Sequence, residues 1–104
     1  MTTDERSYRL RRTRDESLLA LGDLERIIRE TDTGERRHIL PDVERLLEVI
    51  QRARIAPALR DEQAMVIRSY AVLLGLGGAQ ASTTGLARLR VRRAIEQLRD
   101  ALAG

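Results

Sequence analysis

Residues 64–76 read AMVIRSYAVLLGL, the most apolar run of the chain. Leu59, Gln63, Val66, Tyr70 and Leu73 recur at steps of three and four, with Ile67 and Leu74 beside them. That period predicts a helix rather than a strand. Met65 and Val72 fall on a second facet, and Ala64 and Ala71 on a third. Only Glu62, Arg68 and Ser69 give the run a polar edge. A helix that is apolar nearly all round is buried on several sides. The run is too short, and too interrupted by Arg68, to cross a bilayer. It is therefore expected to be the central helix of a core, spanning about residues 58–74, with Val66 and Leu73 at the heart of the packing.

The neighbouring segments read as its wrapping. Ala20, Leu21, Leu24, Ile27 and Ile28 predict the inner stripe of a first helix over about 15–31, ended by the TDTGE loop at 31–35. Leu18 and Leu19 fall off that stripe. Ile39, Val43, Leu46, Ile50 and Ala53 predict a second helix from Pro41 to about Ile55, because proline suits a first helical position. Glu44, Arg45, Glu48, Gln51 and Arg52 give it a solvent face. Pro57 marks the next break. The glycine-rich stretch 75–85 ends in Ser82, Thr83 and Thr84, which suit the start of a helix. Ala87, Val91, Ala94, Ile95, Leu98, Ala101 and Leu102 then form the inner stripe of a last helix over about 84–103. It has no internal turn, so no helix-turn-helix is expected. The fold class is all-α, an antiparallel four-helix bundle.

The chain of 104 residues has room for one domain. Residues 15–104 are assigned to it, and residues 1–14 to an arginine-rich arm that either frays or extends the first helix. There is no cysteine, hence no disulfide framework and no thiol chemistry. With no charged-then-apolar leader at the start, a cytoplasmic location and no membrane contact are expected. Every basic side chain except His38 is an arginine, a bias that GC-rich bacterial coding produces. The net charge is +3, too small for a protein that coats nucleic acid. It is unevenly spread: the two ends are basic and the middle is acidic.

No catalytic constellation is recognisable, so enzymatic activity and cofactors are not expected. Glu35 and His38 have the spacing of one half of a carboxylate-bridged metal site. His38 is the only histidine, so the second half is missing and no metal is expected. Asp61 and Glu62 suit a helix start. The glycine-rich stretch follows a helix and lacks lysine, which fits no phosphate loop.

The strongest functional signal lies on the last helix. Leu86 and Leu89 point away from the inner stripe, beside Arg90 and Arg93, which have no obvious local partner. Exposed leucines next to unpaired arginines make a contact surface. Arg68, inside the apolar run, would join it by pairing with a carboxylate of a second chain. The reading is a small non-enzymatic interaction or regulatory module that acts by homodimerisation or by binding another protein. One alternative is a nucleic-acid binder using Arg6, Arg9, Arg11, Arg12 and Arg14 of the arm with Arg88 and Arg92 of the last helix. Another is a bundle that holds a small molecule in an apolar cavity. Glu96 would partly neutralise the last helix by pairing with Arg92 and Arg99.

Overall fold

The computed structural model describes residues 3–36, 38–76 and 81–103, with the side chains of Thr3 and of residues 81–84 left out. It consists of four helices: α1 (Thr3–Asp32), α2 (Leu40–Gln51), α3 (Pro57–Gly75) and α4 (Ala81–Ala103). There is no strand among the described residues. The expected caps at Ser82, Thr83 and Thr84, and the centre of the glycine-rich stretch, lie outside the described residues.

The helix boundaries follow local chemistry. The arm is part of α1, not a frayed start, so the first helix begins at Thr3 rather than Asp15. Asp4 and Glu5 occupy its first turn, where carboxylates complement the helix dipole. Arg12 and Glu16, one turn apart, pair at 3.1 Å. At the other end Gly34 adopts φ 77°, the left-handed conformation that glycine takes without steric cost. The Gly34 amide donates to the Thr31 carbonyl and the Glu35 amide to the Glu30 carbonyl. That is the Schellman arrangement, and it supplies partners for carbonyls that the helix end leaves open. Arg36 then pairs with both Glu30 and Asp42, clipping the end of α1 to the start of α2.

Proline stands second in α2 and first in α3, where its missing N–H costs nothing. α2 stops at Gln51, four residues short of the expected Ile55. Pro57 disfavours helical backbone at the residue before it, and the chain reverses through Arg52–Ala56. Ala53 and Ile55 remain buried although they lie outside any helix. α4 starts three residues earlier than expected, at Ala81.

The inner stripes read from the sequence of α1, α2 and α4 are the buried ones. Leu21, Leu24, Ile39, Val43, Val91 and Leu98 are fully inaccessible. The α3 stripe needs correction. Its buried residues are Gln63, Ala64, Ile67, Tyr70 and Ala71, so the inner face is centred on Ile67 rather than on Val66 and Leu73, which are only half-buried. The reason is tertiary. α1 packs on α2 and α4, α3 packs on α2 and α4, and the diagonal backbones do not meet. α3 is thus one side of a ring of four helices, not a central helix wrapped by the others. With two neighbours it has only one inner face to bury.

Two polar contacts cross this core. The Thr31 hydroxyl donates to the Ile28 carbonyl at 2.6 Å and lies 2.8 Å from the Tyr70 hydroxyl. Thr31 has one hydroxyl proton and has used it, so Tyr70 is the donor across the diagonal. Gln63 and Gln97 share a hydrogen bond between α3 and α4. Ion pairs lace the outside: Arg68 with Glu44 links α3 to α2, and Arg99 with Glu25 links α4 to α1.

Two outcomes are expected from urea unfolding. Ile67→Ala lowers stability by about 2–5 kcal/mol, the cost of a core cavity, while Glu48→Ala on the exposed side of α2 changes it by less than about 0.5 kcal/mol. Tyr70→Phe and Thr31→Val each destabilise by about 1–3 kcal/mol, the cost of an unmet buried polar group. The double variant is less costly than the two added together.

Candidate interaction surface on helices three and four

Leu86, Leu89, Arg90 and Arg93 recur at helical spacing on one side of α4. All are exposed, Leu86 at 52% and Leu89 at 64%. The buried stripe of Val91, Ala94, Ile95 and Leu98 occupies the opposite side. α3 contributes a second apolar edge. Met65, Val72 and Leu76 are exposed on its outer face, Met65 at 65% and Leu76 at 77%. Between the two helices runs an open groove of about 470 Å³. Met65, Val66, Leu73, Leu86 and Ala87 line it, and Arg90 stands at its edge. Val66 and Leu73 are therefore groove residues as much as core residues. The sequence misassigned them because helical spacing gives their relation to one another but not which side of the helix faces the ring.

The arginines divide into two sets. Arg90 and Arg93 carry no ion pair among the described residues. The rest of the α4 set turns towards α1. Asp32, in the last turn of α1, lies 2.8 Å from Arg88 and also pairs with Arg92. Arg99 reaches Glu25 at 2.5 Å. That contact, chiefly through its hydrogen bond and against the opposing effect of burial, raises the Arg99 pKa above its ordinary value. Arg92 and Arg99 thus form their ion pairs with carboxylates of α1 and not with the expected Glu96, which adds only a weaker attraction to Arg99. Asp32 carried a signal that sequence reasoning passed over. A carboxylate in the last turn of a helix opposes the dipole unless a cation comes from elsewhere.

Arg68 pairs with Glu44 of the same chain at 2.5 Å. The hydrogen bond that Arg68 donates to Glu44 is the main reason its pKa is raised. Its guanidinium thus has an intrachain carboxylate and is not left waiting for one from a second chain. Glu44, expected on a purely solvated face, is half-buried by this contact. Arg68, three residues from Met65 and four from Val72, borders the outer face of α3 on the side that meets α2.

The remaining residues of the arm, Arg6, Arg9, Arg11 and Arg14, lie on the exposed first half of α1. Arg12 is held by Glu16, and Arg88 and Arg92 by Asp32. The structure does not bring the arm and the α4 arginines into one phosphate-binding surface. Glu35 and His38 are both exposed, and no group of three or more histidine, aspartate or glutamate side chains is placed to hold a metal among the described residues. Among those residues, no helix is long and apolar enough to cross a membrane. No protein-family model matches the chain, and neither a curated protein nor a solved structure matches it.

Asp32→Asn is expected to destabilise the protein by about 0.5–1 kcal/mol, because two partly exposed guanidiniums lose the carboxylate they share. The loss shrinks as salt is added. Melting curves at low and high ionic strength check both statements.

Proposed function

We propose that this protein is a non-enzymatic interaction module, an antiparallel four-helix bundle that works as a homodimer through the outer face of α3 and α4. The observation that carries this reading is the company kept by the exposed leucines. Leu86 shares a groove with Met65; Leu89, Val72 and Leu76 are exposed on the outer sides of the same two helices, and Arg90 and Arg93 carry no ion pair among the described residues. Single exposed leucines are ordinary, but several on adjoining faces along one groove are a contact surface.

The antiparallel arrangement is supported by the order of the contacts. Glu25 meets Arg99 while Asp32 meets Arg88 and Arg92. Glu44 meets Arg68 while the Gln51 carbonyl meets Arg60. In both pairs of helices the numbers rise in opposite directions.

A second copy is the occupant that the charges favour. Asp100 is seven residues from Arg93 on the same side of α4, and Glu62 is three from Met65 on the outer side of α3. Both are exposed and carry no ion pair among the described residues. A two-fold axis through the middle of the face turns one end onto the other. Each copy then offers its partner both signs of charge, Arg90 and Arg93 near the middle of the face and Glu62 and Asp100 at one end of it. The apolar residues are covered in the same step, as an isologous interface requires. A cytoplasmic regulatory role fits a chain that has neither cysteine nor a recognisable catalytic set.

Sedimentation equilibrium tests the proposal. The parent sediments as a dimer. Leu86→Glu with Leu89→Glu weakens the dimer by about one to two powers of ten for each leucine, since central interface leucines contribute about 1–3 kcal/mol. The variant keeps its helix content, because glutamate is a good helix former. A parent that stays monomeric at high concentration refutes the assignment.

A further inference from the structure

A second site lies on the first half of α1, away from Asp32, where the fold brings Arg14 together with Arg52 and Arg54. Arg14 from α1 and Arg52 and Arg54 from the turn after α2 line one groove of about 300 Å³. The rest of the lining is Leu10, Thr13, Ala101 and Leu102, with no carboxylate among them. All three arginines are exposed, and none carries an ion pair among the described residues. Elsewhere Arg12, Arg36, Arg60, Arg68, Arg88, Arg92 and Arg99 each hold a carboxylate. Other arginines such as Arg90 and Arg93 carry no ion pair among the described residues either, but none of them lines this groove.

Part of this charge has a structural partner. Arg52 caps the C-terminus of α2, and Ala101 and Leu102 belong to the last turn of α4. Each helix C-terminus offers about half a negative charge, so two together offer about one against three guanidiniums. Roughly two positive charges are left over. A phosphate monoester brings about −1.5 to −2 at neutral pH and accepts forked hydrogen bonds from guanidinium groups. A single carboxylate would leave a surplus. The groove also has an apolar side in Leu10, Ala101 and Leu102, so its chemistry suits a phosphate attached to a small apolar group. Its volume is at the lower end for small-molecule sites, about 300–1,000 Å³.

We propose that Arg14, Arg52 and Arg54 form a binding site for a small soluble phosphate monoester. The arginines hold the phosphate, and Leu10 and Leu102 meet the organic part. The site is separate from the α3–α4 face, and its success or failure does not depend on dimerisation.

Calorimetric titration of the intact chain at low ionic strength, with phenyl phosphate and with inorganic phosphate as probes, tests this. Phenyl phosphate binds, and binds more tightly than inorganic phosphate. Arg14→Gln with Arg54→Gln weakens it by about tenfold or more, as expected for the loss of charge-assisted hydrogen bonds. Arg26→Gln with Arg29→Gln removes the same net charge elsewhere on the exposed surface of α1 and leaves the affinity unchanged. The proposal is overturned if phenyl phosphate does not bind, if the two probes bind equally, or if the Arg26 and Arg29 variant loses as much affinity as the Arg14 and Arg54 variant. Binding confined to phosphatidic acid vesicles or to a single-stranded oligonucleotide also overturns it.

Discussion

A helix in a ring of four touches two neighbours, and this constraint governs the rest of the molecule. Each helix buries one broad face against two others and turns the opposite face outwards. α1, α2 and α4 carry apolar stripes of about the right width for that. α3 carries more. Its apolar residues go nearly all the way round, and the ring has no place for the surplus. Ile67, Ala64 and Ala71 go inside, and Met65, Val72 and Leu76 stay outside. The exposed apolar face follows from putting an over-apolar helix on the side of a bundle rather than in its middle.

The same geometry sorts the charges. Neighbouring helices bring carboxylates and guanidiniums together along three of the seams described: Arg36 between α1 and α2, Arg68 between α2 and α3, and Arg88, Arg92 and Arg99 between α4 and α1. Half-exposed pairs of this kind add little individually. They are informative by contrast. The seam between α3 and α4 has a glutamine pair and an apolar groove in place of an ion pair, and the arginines at its edge stay unmatched. Arginine is suited to such edges, because its planar fork binds carboxylate or phosphate and its stem packs on apolar surface.

One buried polar contact ties opposite sides of the ring. Tyr70 reaches from α3 to Thr31 near the end of α1, so the two helices whose backbones do not meet are joined by a side chain. Thr31 stands just before the turn that Gly34 closes. The end of α1, the core and the pairing of Asp32 with α4 are therefore held at one place. A hydrogen bond in the apolar interior favours the one arrangement that satisfies it.

The sequence alone determined much of this protein. Period and composition are local properties, so they gave the helical class, the number of helices and the inner faces of α1, α2 and α4. Proline and glycine act on their own residues and gave the starts of α2 and α3 and the end of α1. Leu86, Leu89, Arg90 and Arg93 were readable as outward residues because they fall opposite a clear stripe. The tertiary structure decided what depends on neighbours. It selected which side of α3 faces inwards, since a helix apolar on several sides has no stripe to read. It chose Asp32 and Glu25 over Glu96 for Arg92 and Arg99, because partners 60 and 74 residues away leave no mark at helical spacing. It brought Arg14 beside Arg52 and Arg54, a meeting made only when the end of α2 folds back against α1. Local physics writes the helices, and only their packing decides which of their residues become neighbours.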